Sequence, residues 1–599
     1  MRQPSKRVLV AALAGAAAIA LSLPAFGEGP ESLLPPGFGE PAPSQPAPAP
    51  TPGAPQLAPV TPVPAENATE PMPGAETALP GQDETAQANE PVELPDAARR
   101  SIDAVGPLTP DLGGLGAEAF GRADGRFLTA LMRRVEAPVA SRWVSILLRR
   151  ALLSRVPVPI NADPADWVAD RALLLLRMGE ADAARVLVES VDVDKFSPRL
   201  LLVAREAALA NADPTMLCPL VDSAARIGDD RGWGYARAIC ASLSGEGATS
   251  SMLLDKARGR SSRTIDYSLA EKVVGAGSNT RRASVIEWQG VDRLNSWRFG
   301  MAASVGLEIP AALYETGGPQ MLAWRARAPM YHPEDRVGAA RVAAVLGVFS
   351  NAALVDLYGQ VSEREGDTGR DAPAARLHVA YAGDDAASRM DAIRSFWSEA
   401  DSQPGGLYAA EILTARAAAR IVPNDSFAAD YGRLIATMLS AGLDIQAARW
   451  APLVEASSPS IADQAWALLA VGAPRVAVDI NYSRIDGYGA RLGNGGVDKM
   501  RILIAGLAGL GRLSARDRTN LATRYDLAIG QQTSFTRAID RAAARGEQGT
   551  VALLAATGMQ TRNWHNVPPT QLYHIVAALS RTGNEPTARM IAAEALSRL

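Results

Sequence analysis

Aromatic residues are scarce. Phe, Trp and Tyr make up 5% of the 599 residues, too few to furnish a β-sandwich, barrel or propeller, whose strands draw on aromatic and β-branched side chains. Cysteine is scarcer still, with two residues, and histidine numbers four. These counts exclude a disulfide-dense scaffold and argue against a Cys/His metal centre. The formal net charge is −4, which excludes a strongly basic nucleic-acid binder. Beyond the N-terminus no apolar run reaches the ~20 residues that a membrane-spanning helix needs.

Alanine is plentiful. The chain holds about 110 alanines, and with Leu and Arg they are strong helix formers. The length suits several domains or one long repeat array.

The N-terminus reads as an address. Arg2, Lys6 and Arg7 precede an apolar run from Val8 to Leu23, and Ala25-Phe26-Gly27 supplies a small-x-small exit. A basic start, a short apolar stretch and such an exit describe a secretory signal peptide over 1–27, cleaved after Gly27. The same segment, if retained, is an inner-membrane anchor and the chain's one link to a membrane. No cysteine follows the apolar run, so lipid attachment is not expected. Either way the remainder faces an oxidising compartment, the periplasm.

Residues 28–97 lack the apolar mass to build a core. Eighteen prolines lie between Pro30 and Pro95, with no Lys or Arg from Val8 to Ala98 and 11 acidic residues over the same stretch. This composition predicts a disordered, acidic, Pro-rich linker. From Arg99 on there are 57 basic and 53 acidic residues, so the remainder carries about +4.

From about residue 120 the pattern is helix after helix. Asp124–Glu136 and Val139–Arg155 show apolar residues at helical spacing, such as Phe127, Ala130, Leu131 and Val135. Asp163-Pro164 is a helix start: a capping side chain followed by proline at the first helical position. Turns recur at Gly179, Asn211 and Gly245, and again at Gly442, Gly472, Gly511, Gly546 and Gly583. Steps of roughly 33–37 residues between helix pairs mark an α-solenoid.

Three units pair a turn glycine with an alanine five residues on: Gly179 with Ala184, Gly442 with Ala447, Gly583 with Ala588. Small or apolar residues follow each at Val188 and Val191, Ala451 and Val454, Ala592 and Ala595. In these positions the chain resembles the tetratricopeptide repeat family, in degenerate form. That resemblance implies antiparallel helix pairs whose small residues let the helices cross closely, and a surface used to bind other proteins. The helical scaffolds of some peptidoglycan-cleaving enzymes look alike. The expected fold is therefore all-α: helical repeats over 98–277, an irregular helical centre over 278–425 and further repeats over 426–599.

Two stretches depart from the period. In the centre, Trp324, Arg325, Arg327, Tyr331 and His332 concentrate aromatic and arginine side chains, types favoured at binding surfaces. They either face a groove or fill gaps between irregular repeats. Residues 481–499 are dense in glycine, which predicts a long polar loop, either a mobile connector or a functional one. Tyr482, Arg484, Tyr488, Arg491 and Lys499 there join the candidate binding surface.

Chemical motifs are missing from the sequence. It has no phosphate-binding glycine loop, no H-E-x-x-H, no C-x-x-C, no G-x-S-x-G and no Ser-x-x-Lys. A lytic transglycosylase would need a catalytic Glu-Ser pair. Outside the linker that pair occurs only as Glu189-Ser190, on a repeat helix, and Gly558-Met559-Gln560 only partly matches the accompanying motif. No catalytic residue, cofactor or metal is expected. The leading expectation is a non-enzymatic periplasmic scaffold or adaptor that binds an envelope protein or peptidoglycan, and not nucleic acid. The other is a cell-wall or glycan-processing enzyme, or its helical accessory subunit, with a site assembled from distant residues.

The two cysteines lie on neighbouring expected helices, from about 214 to 227 and from about 233 to 243. Cys218 and Cys240 stand at equal distance from the turn at 228–230, which places them at equal height in an antiparallel pair. A disulfide is expected in an oxidising compartment. The alternative is two separate buried thiols.

Overall fold

Helices begin where the sequence supplies caps. In the computed structural model the Asp163 carboxylate accepts from the Asp166 amide at 2.9 Å, and Pro164 opens the helix Pro164–Arg177. Ser141 caps Arg142–Leu153 by accepting from the Val144 amide at 3.2 Å. Each cap satisfies an amide that the first turn would leave without a partner. The structure describes residues 99–599 apart from 137, 227–229, 259–263, 279–284, 366–371 and 401–404. The expected leader at 1–27 and Pro-rich segment at 28–97 lie outside the described residues.

The described residues are all-α in class. Their one sheet pairs Ala104–Val105 with Val156–Pro157, antiparallel and two residues long. No described helix is long and apolar enough to cross a membrane.

Consecutive helices pack as pairs. Pro164–Arg177 and Ala181–Val188 meet at Gly179, whose φ of 88° suits glycine. Gly442 and Gly583, at φ 76° and 80°, do the same in their units. Ala184, Ala447 and Ala588 are fully buried at the crossings. Gly472 does not turn the chain. It is the last residue of the helix Pro459–Gly472, and a Cβ there would press on the Leu439 side chain.

The chain also closes on itself. Arg142–Leu153 packs against Gln548–Gly558 and Glu585–Arg598. That last helix further touches Tyr431–Ser440, Pro459–Gly472, Val497–Gly509 and Pro569–Arg581, and every residue from Ala588 to Leu596 is buried. In an open repeat array each unit touches only its neighbours. Here the final helix serves as a core element for several units. Contacts also run across the expected divisions near 278 and 425, for instance from Pro198–Ala210 to Ser296–Ser304.

The expected loop at 481–499 is instead helical: Tyr482–Leu492, a short turn at Asn494–Gly496, then Val497–Gly509. Asn481 caps the first helix through the Arg484 amide at 2.9 Å, and Ile485 and Tyr488 form its buried face. Gly489 is there for proximity, because a Cβ would overlap the Tyr525 hydroxyl. Cys218 lies on a 3-10 turn, Pro214–Leu220, and not on a long α-helix, because Pro219 interrupts the helical pattern. Cys240 lies on Arg231–Leu243, and the two are joined in a disulfide with Cα atoms 5.5 Å apart.

Candidate functional site

The aromatic cluster at 324–332 points largely inward, contrary to the expected exposed surface. Trp324 lies on the helix Pro319–Arg327, buried, with its ring 5.6 Å from Phe299. Tyr331 is buried and donates its hydroxyl to the Leu307 carbonyl at 2.8 Å. Arg327 pairs with Asp182 and lies over the Phe349 ring. His332 is exposed and precedes Pro333 at a helix start.

Arg325 is the member of that cluster that reaches a cleft. Its guanidinium sits 4.6 Å from the centre of the Tyr331 ring. It donates to both Glu308 oxygens at 3.0 and 3.1 Å and to the Tyr314 hydroxyl at 3.2 Å. Burial lifts the pKa of Tyr314 and Tyr331. Burial pulls Arg325 down, but its Tyr314 and Glu308 partners leave it above its usual value. Both tyrosines stay neutral and Arg325 stays cationic, so this trio is a satisfied polar wall.

The second expected cluster is also consumed by packing. Tyr488 is buried edge-on to Trp466 at 5.6 Å, and burial pushes its hydroxyl up to about 12. Arg484 stacks over Trp466 at 4.9 Å, and Arg491 grips Asp463 at 2.5 and 2.8 Å. Tyr482 and Lys499 are half-buried, and burial lowers the Lys499 pKa. None of the five lines the cleft that Arg325 reaches, so the two clusters are not brought together.

That cleft has a volume of about 990 Å³ and draws its walls from three parts of the chain. Residues 138–140 line it from the N-terminal part, Glu308 to Leu346 and Gly405 from the centre, and Arg562 and Arg598 from the C-terminal part. Most of the wall is apolar, with Val139, Ile309, Leu322, Val345 and Leu346 prominent. Such a volume and lining are typical of ligand-binding clefts. The Ala140 amide donates to the Met559 carbonyl at 2.8 Å, and Arg598 Nη1 donates to the Ala140 carbonyl at 3.0 Å. The Gln560 side chain accepts from the Glu136 amide at 2.6 Å. The N-terminal strap thus binds Arg598 directly and is tied to the segment just before Arg562, and both arginines line the cleft.

Sequence reasoning missed Val139, Leu322, Arg562 and Arg598. No local signal marks them, because more than 400 residues separate the strap from the C-terminal arginines it meets.

A second groove, about 700 Å³, holds a His–Asp pair. His574 is buried and its Nδ1 lies 3.0 Å from Asp540, which also accepts from Arg581 at 2.9 Å. The His574 Nε2 atom is enclosed without a partner. Among the described residues no group of three or more His, Cys, Asp or Glu side chains is placed to hold a metal ion.

Compared with known proteins, the chain matches no family model, no curated protein and no solved structure at a significant level.

Proposed function

We propose that this chain is a non-enzymatic binding scaffold of the bacterial envelope, exported by its N-terminal segment and built from tetratricopeptide-like helix pairs closed into one body. Its partner is an envelope protein or the cell wall, engaged at the rim of the central cleft. The observation that carries this reading is the convergence of three distant parts of the chain on one concave, mostly apolar site. Concave clefts with a few placed polar groups are where ligands and partner segments bind. The polar clusters elsewhere act mainly between helices, as Arg484 and Arg491 do at Asp463.

The test is a photo-crosslinking residue placed at Glu315, exposed on the cleft wall, and at Val476, exposed outside it. Irradiated cells are expected to give a discrete envelope adduct from position 315 and none from 476. Equal adducts, or none at 315, would remove the cleft as the binding face. An enzymatic reading has one observation in its favour, the His574–Asp540 pair beside its groove. Peptidoglycan turnover by the purified protein, lost in His574→Ala, would establish that reading.

A further inference from the structure

The cleft's floor and lip differ in chemistry. Val139, Ile309, Leu322, Val345 and Leu346 contribute hydrocarbon surface and no side-chain donor or acceptor. On the central wall Arg325, Glu308 and Tyr314 are already occupied with one another. A polypeptide laid along this floor would bury backbone amides and carbonyls with few partners, at a cost. A hydrocarbon chain needs none.

The lip at Ala140 is different. Arg562 is exposed, with no hydrogen bond, ion pair or ring contact among the described residues. Arg598 spends Nη1 on the Ala140 carbonyl and Glu594, and lies 4.5 Å over the Tyr408 ring. Among the described residues its Nε and Nη2 atoms have no hydrogen-bond partner, and the side chain is partly exposed. Two guanidinium groups in the lining thus offer unused donors beside apolar side chains. Guanidinium forks suit carboxylate and phosphate oxygens. Glu315, also in the lining, is exposed and has no ion pair among the described residues, and its charge disfavours an anion placed beside it.

We propose that the cleft binds a single-chain amphiphile, with an unbranched hydrocarbon tail along the Val139–Leu322–Leu346 floor and an anionic head between Arg562 and Arg598. This goes beyond partner capture at the rim and does not depend on it. The site holds one ligand, tail buried and head at the lip, and selects against cationic heads.

The experiment is titration of the full chain with dodecanoate, dodecanol and dodecylammonium, each below micelle formation. Dodecanoate is expected to saturate one site, at least roughly tenfold tighter than either analogue, the preference that charge-assisted hydrogen bonds supply. Arg562→Gln alters an exposed side chain, leaves the fold intact and should erase most of that preference. Glu315→Gln should leave dodecanoate affinity unchanged or slightly raised. Leu322→Trp should block all three probes by filling the floor. No saturable binding of dodecanoate overturns the proposal, as does equal affinity for the cationic analogue. An unchanged preference in Arg562→Gln overturns it too. Tighter binding of an apolar hexapeptide with a free C-terminus would give the site to a polypeptide end instead. The crosslink at position 315 reads the partner scaffold separately, so either idea can fail alone.

Discussion

Ser141 donates its hydroxyl to the Glu594 carboxylate at 2.6 Å, across 453 residues of sequence, with both side chains buried. The same carboxylate accepts from the Arg142 amide at 3.0 Å and from Arg598 at 2.5 Å. Arg142 extends the knot to the centre of the chain, donating to the Ala344 and Phe349 carbonyls at 3.0 Å each. Beginning, middle and end of the helical body are tied at one buried point, next to the cleft.

Removing that carboxylate should be costly. Glu594→Ala leaves the buried Ser141 hydroxyl and Arg142 amide without their acceptor and takes one of two acceptors from Arg598 Nη1, and the expected loss is about 2–5 kcal/mol. Glu594→Gln keeps one acceptor oxygen and should lose less. Urea unfolding of the two variants, followed by far-UV circular dichroism, checks the order. Equal midpoints for wild type and Glu594→Ala would show that the knot contributes nothing.

Two glycine substitutions should act in opposite directions. Gly300 lies where Ser296–Ser304 crosses Pro198–Ala210, and a Cβ there would stand 2.6 Å from the Leu209 carbonyl oxygen. Gly300→Ala should destabilise by about 1–3 kcal/mol through forced separation of the helices. Gly338 sits exposed within Pro333–Leu346 with nothing near its would-be Cβ. Gly338→Ala should stabilise by about 0.5–1 kcal/mol, the helix-propensity difference. Paired thermal melts give the signs directly.

The disulfide closes a loop between residues 22 apart in sequence. The chain-entropy argument assigns such a loop about 3 kcal/mol. Exported protein, denatured without reductant, should show no free thiol. Reduction, or Cys218→Ala with Cys240→Ala, should lower the unfolding midpoint accordingly. Two titratable thiols in the unreduced protein would contradict the bond.

Glu180 gives a pH signature. It is buried, and burial raises its pKa, an effect that its Arg149 partner at 2.5 Å offsets only in part. A carboxyl whose folded pKa exceeds its unfolded value binds protons more readily in the native state. Its contribution to stability is therefore full below the unfolded value of about 4.5 and fades as pH rises through the folded one. Glu180→Gln should remove this decline, so its stability relative to wild type should increase between pH 4 and pH 7. Denaturant midpoints across that range measure the difference.

Much of the helical framework is legible along the chain. Asp163-Pro164 starts a helix by its own chemistry, and Gly179, Gly442 and Gly583 turn helix pairs because each needs a positive φ. Ala184, Ala447 and Ala588 lie where the helices cross, as small side chains must. The Cys218–Cys240 pair is similarly local, joining helical segments only 22 residues apart. These features depend on residues a few positions apart, and short-range sterics and hydrogen bonding decide them.

The tertiary structure decided the rest. Periodicity shows that a helix has a buried face but does not say what covers it. Trp324 and Tyr488 carry the side chains of a binding surface, yet each is buried against an aromatic ring, Phe299 and Trp466. Gly489 reads as a helix breaker until Tyr525 is placed against it. The Ser141–Glu594 contact and the lip shared by Arg562 and Arg598 join residues with no local relationship. They exist because the final helix is surrounded by units from both ends of the chain, which bury its apolar residues together with Arg589 and Glu594.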